Sequence, residues 1–517
     1  MTGEFQPQAA TNHEYAAEDQ ELEQALEHIW DIALENHLDP FPTNFEVAPA
    51  SVVYQIGAYG IPGRFSHWTY GRAYRQMKTQ YDYGLSKIYE LVINSNPSQA
   101  FLLENNPPID NKFVMAHVLG HTDFFKNNAT FANTRRDMPE AAARSAMRIQ
   151  SYEDHEGRMA VEQTLDAALA IEQHIDPYHI HRLDRNEELK QWRAQAAKNA
   201  KPAREGDSEF DDLLPRSGSV EQNLGRQALA MMIPPAPDQD LLGFIRNHAP
   251  YLEDWQRDVV DIVRSESLYF YPQRRTKIMN EGWAAYWHKR IMREMGDRGL
   301  ITDAENEAWW KLHSGVVGPN PRSINPYYLG MKIYEYIEDY YNGTLTDEET
   351  AQLQKEGVPT YPRYDGPLKD SPAMPHLREA MMYNDDQSFI RNYFNKIIAD
   401  RTEMYIYEER RLSPYHQPEM VVADDGWLRI RDMLTKSMDN NGTPRIDVIN
   451  GDHSRAGELY LKHEFDGRSL DPQYVEKTLP YIHALWRRPV HIETREAAGN
   501  KVLIYTYDGK KVKKHTK

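Results

Sequence analysis

The sequence predicts an α+β protein: a large, mainly α-helical domain followed by a small C-terminal β-β-α-β-β module. Three observations carry this. Helix signals dominate the first three quarters of the chain; five prolines, Pro359, Pro362, Pro367, Pro372 and Pro375, mark an extended connector; and beyond about Asp424 short strand-like runs take over. On this reading residues 1–375 are the helical domain, 376–423 a connecting helical segment, and 424–517 a small α+β module with a basic tail.

Each element follows from local pattern. Leu22, Leu26, Ile29 and Ala33 recur at helical spacing behind acidic residues, which predicts an amphipathic helix ending near Leu38-Asp39-Pro40. A second helix is expected over 70–93, stopping before Asn96-Pro97, and a long one over 156–174, closed by Asp176-Pro177. Residues 198–225 are polar and charged and read as a loop or linker. The pattern over 252–295 is helical with an interruption near Tyr271-Pro272, because proline lacks the amide donor and clashes with the preceding turn. In the last segment, 445–448, 458–461, 490–493 and 502–505 read as strands. Asp471-Pro472 supplies an N-cap and first-turn pair for a helix through Trp486. Lys510, Lys511, Lys513, Lys514 and Lys517, against a lone Asp508, read as a solvated, frayed end.

Composition excludes several classes. The 517 residues carry 60 Lys plus Arg against 78 Asp plus Glu, a net charge of −18 that repels nucleic acid and anionic membrane. Cysteine is absent, so disulfides, thiolate ligands and a cysteine nucleophile are excluded, and a metal must be held by His, Asp or Glu. Neither a signal-peptide pattern at Met1-Thr2-Gly3-Glu4 nor a run long enough to span a membrane is present, so a cytoplasmic protein is the expectation. Tyrosine outnumbers phenylalanine by 32 to 15, which points either to buried polar networks or to a tyrosine-rich helical surface.

The sequence contains no Walker A loop, dinucleotide glycine fingerprint or Gly-x-Ser-x-Gly elbow, and no Glu-x-x-His pair. What it does contain is Ala116-His117-Val118-Leu119-Gly120-His121. Two His at i and i+4 share one helix face, so both imidazoles can reach one ion. Asn280-Glu281-Gly282-Trp283 then offers Glu281 as a third ligand, in a sequence similar to the one that carries the third zinc ligand of thermolysin-like enzymes. The expected site is therefore His117, His121 and Glu281 on zincin-like helices, with a divalent ion of the Zn, Mn or Fe type. The opposing reading is that a His-x-x-x-His pair arises readily by chance on an apolar helix.

Further candidates to complete or orient that set are Glu104, Asp123, His155, Glu156, Glu162 and His174, with Asp166, Asp176, His179 and His181 in the same neighbourhood. Acidic residues at a helix start also complement its dipole without any function. In a zinc hydrolase a carboxylate accepts the proton of the attacking water, and the residue after the first His, where that glutamate is expected, is Val118. Glu104, Asp123, Glu156 or Glu162 would have to replace it.

Longer segments carry a family resemblance. Gly71-Arg72-Ala73-Tyr74, the His117–His121 motif running into Asp123-Phe124-Phe125-Lys126-Asn127-Asn128, and Lys277-Ile278-Met279-Asn280-Glu281-Gly282-Trp283 resemble signature segments of the SpoVR family, the stage V sporulation protein R proteins. So do Leu165-Asp166-Ala167-Ala168-Leu169, His174-Ile175-Asp176-Pro177, Gly457-Glu458-Leu459-Tyr460-Leu461 and Leu485-Trp486-Arg487-Arg488-Pro489-Val490. The resemblance spans about residues 20 to 495. It implies a cytoplasmic protein tied to spore cortex formation, or to a stress or stationary-phase role, acting with a PrkA-type serine kinase and a von Willebrand-like protein. It also implies that valine at position 118 is normal for the group. Two functions remain: a metal-stabilised, non-catalytic partner protein, and a metal-dependent hydrolase with a displaced base.

Overall fold

The computed structural model describes residues 12–82, 90–178, 182–200, 233–319, 323–410, 419–424, 426–496 and 501–517. In chain order the helices are α1 (Asn12–Glu35), α2 (Ala50–Tyr59), α3 (Trp68–Asp82), α4 (Pro108–Asn127), α5 (Met138–Glu156), α6 (Arg158–Leu169), α7 (Arg185–Ala200), α8 (Leu241–His248) and α9 (Asp254–Arg275). There follow α10 (Lys277–Asp297), α11 (Asp303–Val316), α12 (Pro326–Tyr341), α13 (Asp347–Lys355), α14 (Ala373–Tyr383), α15 (Asp386–Tyr393), α16 (Lys396–Arg401), α17 (Trp427–Ser437) and α18 (Pro472–Trp486). The α+β class expected from the sequence is what the chain adopts.

Two compact units divide the chain, and neither is continuous in sequence. Residues 1–141 with 272–442 form the first; residues 142–271 with 443–517 form the second.

The first unit is built around α4. Every residue from Ile109 to Phe125 on that helix is buried, as expected of a helix surrounded by others on all sides. Its neighbours α1, α10, α11 and α14 pack on it, and α10 in turn packs on α12. Two close approaches explain glycines in the motifs. A Cβ on Gly120 would lie 2.6 Å from Ala284 Cα, and one on Gly282 would lie 2.4 Å from the Gly330 backbone. Helices α4, α10 and α12 therefore touch backbone to backbone at the level of the histidine pair. Strands β1 (Thr43–Ala48), β2 (Leu91–Ile93) and β3 (Ser98–Leu103) add a sheet of order β1-β3-β2, with β1 parallel and β2 antiparallel to β3. Strands β4 (Ile406–Arg410) and β5 (Glu419–Asp424) form an antiparallel pair.

The second unit holds a five-stranded sheet of β6 (Ile446–His453), β7 (Glu458–His463), β8 (Val490–Arg495), β9 (Val502–Tyr507) and β10 (Val512–Thr516), in the order β10-β9-β8-β7-β6. Only β7 and β8 pair in parallel, and α18 is the crossover that a parallel pair requires. Val448, Leu459, Leu461, Val490 and Ile492 are buried on one face of the sheet, and Leu479, Ile482, Leu485 and Trp486 of α18 are buried as well. The Asp471 side chain caps α18 by accepting from Gln473 N at 2.8 Å, as its sequence announces.

Several boundaries differ from the expectations. The helix expected over 70–93 is already a strand at Leu91–Ile93, where β-branched Val92 and Ile93 favour extended backbone. The helix expected over 156–174 is broken at Gly157, whose φ of +88° only glycine adopts without strain, so α5 ends and α6 begins there, and His174 falls beyond both. Pro272 does not end its helix; the break comes at Thr276, whose hydroxyl donates to the Pro272 carbonyl at 2.7 Å. The basic tail is not frayed. Residues Val512–Thr516 pair with β9 as an edge strand, where lysines suit the solvent-facing side. The loop expected over 198–225 lies outside the described residues except for 198–200, which finish α7, and His179 and His181 lie outside them too.

Candidate metal centre

Helix α4 presents His117 and His121 on one side, and α10 faces it with Asn280, Glu281 and His288. The α10 start is fixed from another element: Ile278 N and Met279 N each donate to the Asp386 carboxylate at 2.9 Å, replacing the side-chain cap that Thr276 does not make. With the glycine contacts setting the spacing of α4, α10 and α12, the position of Glu281 against the two imidazoles is over-determined.

Glu281 Oε2 lies 3.6 Å from His117 Nε2 and 3.4 Å from His121 Nε2. His117 Nε2 and Glu281 Oε2 are buried and make no hydrogen bond. Such orphaned atoms cost about 1–3 kcal/mol each when nothing binds them. Donors about 2.0–2.2 Å from a tetrahedral zinc ion stand about 3.3–3.6 Å apart, so the observed separations fit an ion shared by all three.

The remote ring nitrogens are held in the pattern that metal-binding imidazoles need. His121 Nδ1 lies 2.9 Å from Asn280 Oδ1, which can only accept from it there, so Nε2 is left with a lone pair turned toward Glu281. His117 Nδ1 lies 2.8 Å from His288 Nδ1, and His288 Nε2 lies 2.7 Å from His313 Nδ1. When each ring donates outward to the next, His117 Nε2 is left unprotonated and free to bind an ion. The charges agree. Burial, and then the neighbouring imidazoles, push His288 well below the usual histidine range, and burial brings His313 down to about 4. Burial pushes Glu281 up, but the proximity of His117 and His121 outweighs it and holds the carboxyl well below the usual range. For His121, burial is outweighed by Glu281, and the ring is raised, so without an ion Nε2 tends to hold a proton that a bound ion would displace.

Of the other residues singled out in the sequence, Asp123 is near the trio but already engaged. Its buried carboxylate accepts from Trp283 Nε1 at 2.8 Å, from Arg378 at 2.9 Å, from Asn127 at 3.1 Å and from Asp39 N at 2.7 Å, which latches α4 to α10 and α14. Glu104 is exposed at the end of β3. His155, Glu156, Glu162 and His174 belong to the second unit. There His155 and Glu156 are exposed, Glu162 sits 3.8 Å from Arg158, and burial lowers His174 to about 4.

Four contributors escaped the sequence reading. His288 stands seven residues after Glu281 on α10, two turns along the same face, a spacing visible in the sequence. His313 reaches the relay only through tertiary packing. Tyr327, at the start of α12, places its ring 5.8 Å from that of His117 and donates its hydroxyl to Glu90 at 2.6 Å. Burial, then the charges of Glu90 and Glu281, push the Tyr327 phenol far above its usual range, and Glu90 also acts on His121. A second carboxylate is therefore linked to the surroundings of the trio through Tyr327.

The comparisons with known proteins cover nearly the whole chain. The family described as SpoVR like protein matches residues 16–443, and the SpoVR-like C-terminal domain matches residues 444–497. A protein of Escherichia coli (strain K12) named "Uncharacterized protein YcgB" is 28% identical over 481 residues, which is 90% of this chain and 90% of that protein. No solved structure matches. No helix among the described residues is long and apolar enough to cross a membrane.

Proposed function

Because this chain belongs to the SpoVR family, we propose that it is a metal-binding partner or regulatory protein of the cytoplasm, serving spore cortex formation or a stress or stationary-phase response. Its partners on this reading are a PrkA-type serine kinase and a von Willebrand-like protein. The observation that carries the metal is the pair of buried atoms without hydrogen bonds, His117 Nε2 and Glu281 Oε2, turned toward each other beside His121. His117, His121 and Glu281 hold a divalent ion of the Zn, Mn or Fe type, and Asn280 and His288 fix the imidazoles. The non-catalytic reading draws on Val118, which is fully buried and occupies the place of the expected base.

A second reading is favoured by Glu90. When bound, the ion supplies Lewis acidity, and a hydrolase of zincin-like ancestry then needs a carboxylate to take a proton. Glu90, just before β2 and hydrogen-bonded to Tyr327, supplies one from outside the usual motif.

Metal analysis of gently purified protein tests the first claim: a stoichiometric ion is expected, lost in the His117→Ala, His121→Ala double variant. Metal-free wild-type protein that is fully folded overturns it. Native pull-down recovers the kinase or its companion if the partner reading holds. Turnover of a peptide or cell-wall precursor that disappears in Glu90→Gln, with metal content retained, decides for the hydrolase.

A further inference from the structure

A second donor cluster lies in the C-terminal sheet, apart from the residues between α4 and α10. His453 ends β6, Glu458 starts β7 and His491 is second in β8, and a donor atom from each lies within 4.8 Å of the others. The three stand on the half-buried face of the sheet; Leu459 and Val490, beside them in sequence, point to the buried one.

An imidazole–carboxylate hydrogen bond accounts for two of these residues. His491 Nε2 lies 3.0 Å from Glu458 Oε2. It does not account for the third. The β6–β7 register slips twice, between Val448 and Asn450 and again between Asn450 and His453, and the second slip is what sets His453 opposite Glu458. Irregularities of this kind re-aim a side chain at the expense of ladder pairing. The His453 ring then lies 5.2 Å from that of His491 and is flanked at 4.6 Å by the ring of Tyr460.

The surroundings are those of a metal-binding imidazole. His491 Nδ1 is 2.9 Å from Thr506 Oγ1 on β9, an arrangement that leaves Nε2 to bind an ion when Nδ1 donates. The adjacent cation is neutralised independently: Lys517 Nζ reaches Glu493 at 3.1 Å, and the Tyr460 hydroxyl donates to the same carboxylate at 2.6 Å. Repulsion of an incoming cation is thereby reduced.

We infer that His453, Glu458 and His491 form a second divalent transition-metal site, of the zinc class, which ties β6, β7 and β8 together. Two imidazoles and a carboxylate are a zinc donor set, and they leave a coordination position open to solvent. This site is independent of the one between α4 and α10.

The test uses full-length, untagged protein equilibrated with zinc chloride, freed of excess by gel filtration and assayed for zinc per chain. Wild-type protein is expected to lose one equivalent in the His453→Ala, His491→Ala variant, and the His117→Ala, His121→Ala variant is expected to keep that equivalent. Circular dichroism checks that each variant is folded. Thr506→Val, which leaves all three donors in place, is expected to weaken zinc binding at this site about 10–100-fold. Zinc content unchanged by His453→Ala, His491→Ala overturns the inference, and so does wild-type protein that takes up no zinc. Failure of the helical centre alone would instead leave wild type with one equivalent, unaffected by His117→Ala, His121→Ala. If the double sheet variant does not fold, Glu458→Gln serves in its place, and full retention of zinc there overturns the inference equally.

Discussion

The two histidine–carboxylate clusters use the same donors in opposite settings. Between α4 and α10 the imidazoles are 2% and 4% exposed, and two donor atoms face each other with no hydrogen bond. On the sheet the three residues are half-buried, and Glu458 already hydrogen-bonds to His491. Buried orphaned atoms carry a desolvation cost that an ion removes, whereas in the sheet cluster Glu458 and His491 already satisfy each other by a hydrogen bond. Tighter binding is therefore expected at the helical cluster than at the sheet.

The largest expected effect attacks the frame that holds the helical cluster. Gly282→Leu drives a side chain into the Gly330 backbone and should cost about 3 kcal/mol, the upper end of overpacking, measured by denaturant unfolding. A smaller effect there would mean that α10 and α12 can separate, and that the cluster is less rigid than the sheet site.

Next comes loss of orientation with the ligands intact. Asn280→Ala and His288→Phe should each lower metal affinity about 10–100-fold, read by competition with a chelator, with near-native circular dichroism. Equal affinity in these variants would erase the difference between a supported and an unsupported site.

Asp386→Ala uncovers two amides at the start of α10 and should cost about 1–2 kcal/mol. Its titration adds a pH signature. Burial, opposed by its two backbone hydrogen bonds, raises the Asp386 pKa to about 7, with Asp385 raising it and Arg275 lowering it. A raised folded-state pKa means that folding takes up a proton. Its contribution is complete below about pH 4, the unfolded carboxyl value, and is lost as pH rises through 7. Asp386→Asn should flatten the stability profile across that window.

The smallest effect is expected on the sheet. In metal-free protein Glu458→Gln should change unfolding free energy by about 1 kcal/mol at most, since partly exposed ion pairs contribute little. A much larger loss would make the sheet cluster structural in the same sense as the helical one.

What the sequence disclosed of all this was whatever depends on short-range periodicity. His117 and His121 are one helical turn apart, so their shared face follows from helix geometry, and Asp471-Pro472 marks the α18 start by local capping alone. Asp123 shows the limit. Its motif position suggests a ligand, but its partners Trp283 and Arg378 are 160 and 255 residues away, and they turn it into a latch. Glu90 and His313 carry no local mark at all. Pro272 misled because a proline near the C-terminal end of α9 costs one helix hydrogen bond without ending the helix before Arg275, and the lysine-rich tail misled because charge alone does not distinguish an edge strand from a frayed end.

The discontinuity of the first unit has a consequence for how the chain is made. His121 and Asn280 are 159 positions apart, and at about 5–20 residues per second a ribosome needs roughly 8–30 s to cover that interval. Throughout it the two imidazoles exist without their carboxylate. Any ion that needs all three donors can thus bind only late in biosynthesis, and the nascent chain must shield the apolar flanks of α4 until α10 emerges to cover them.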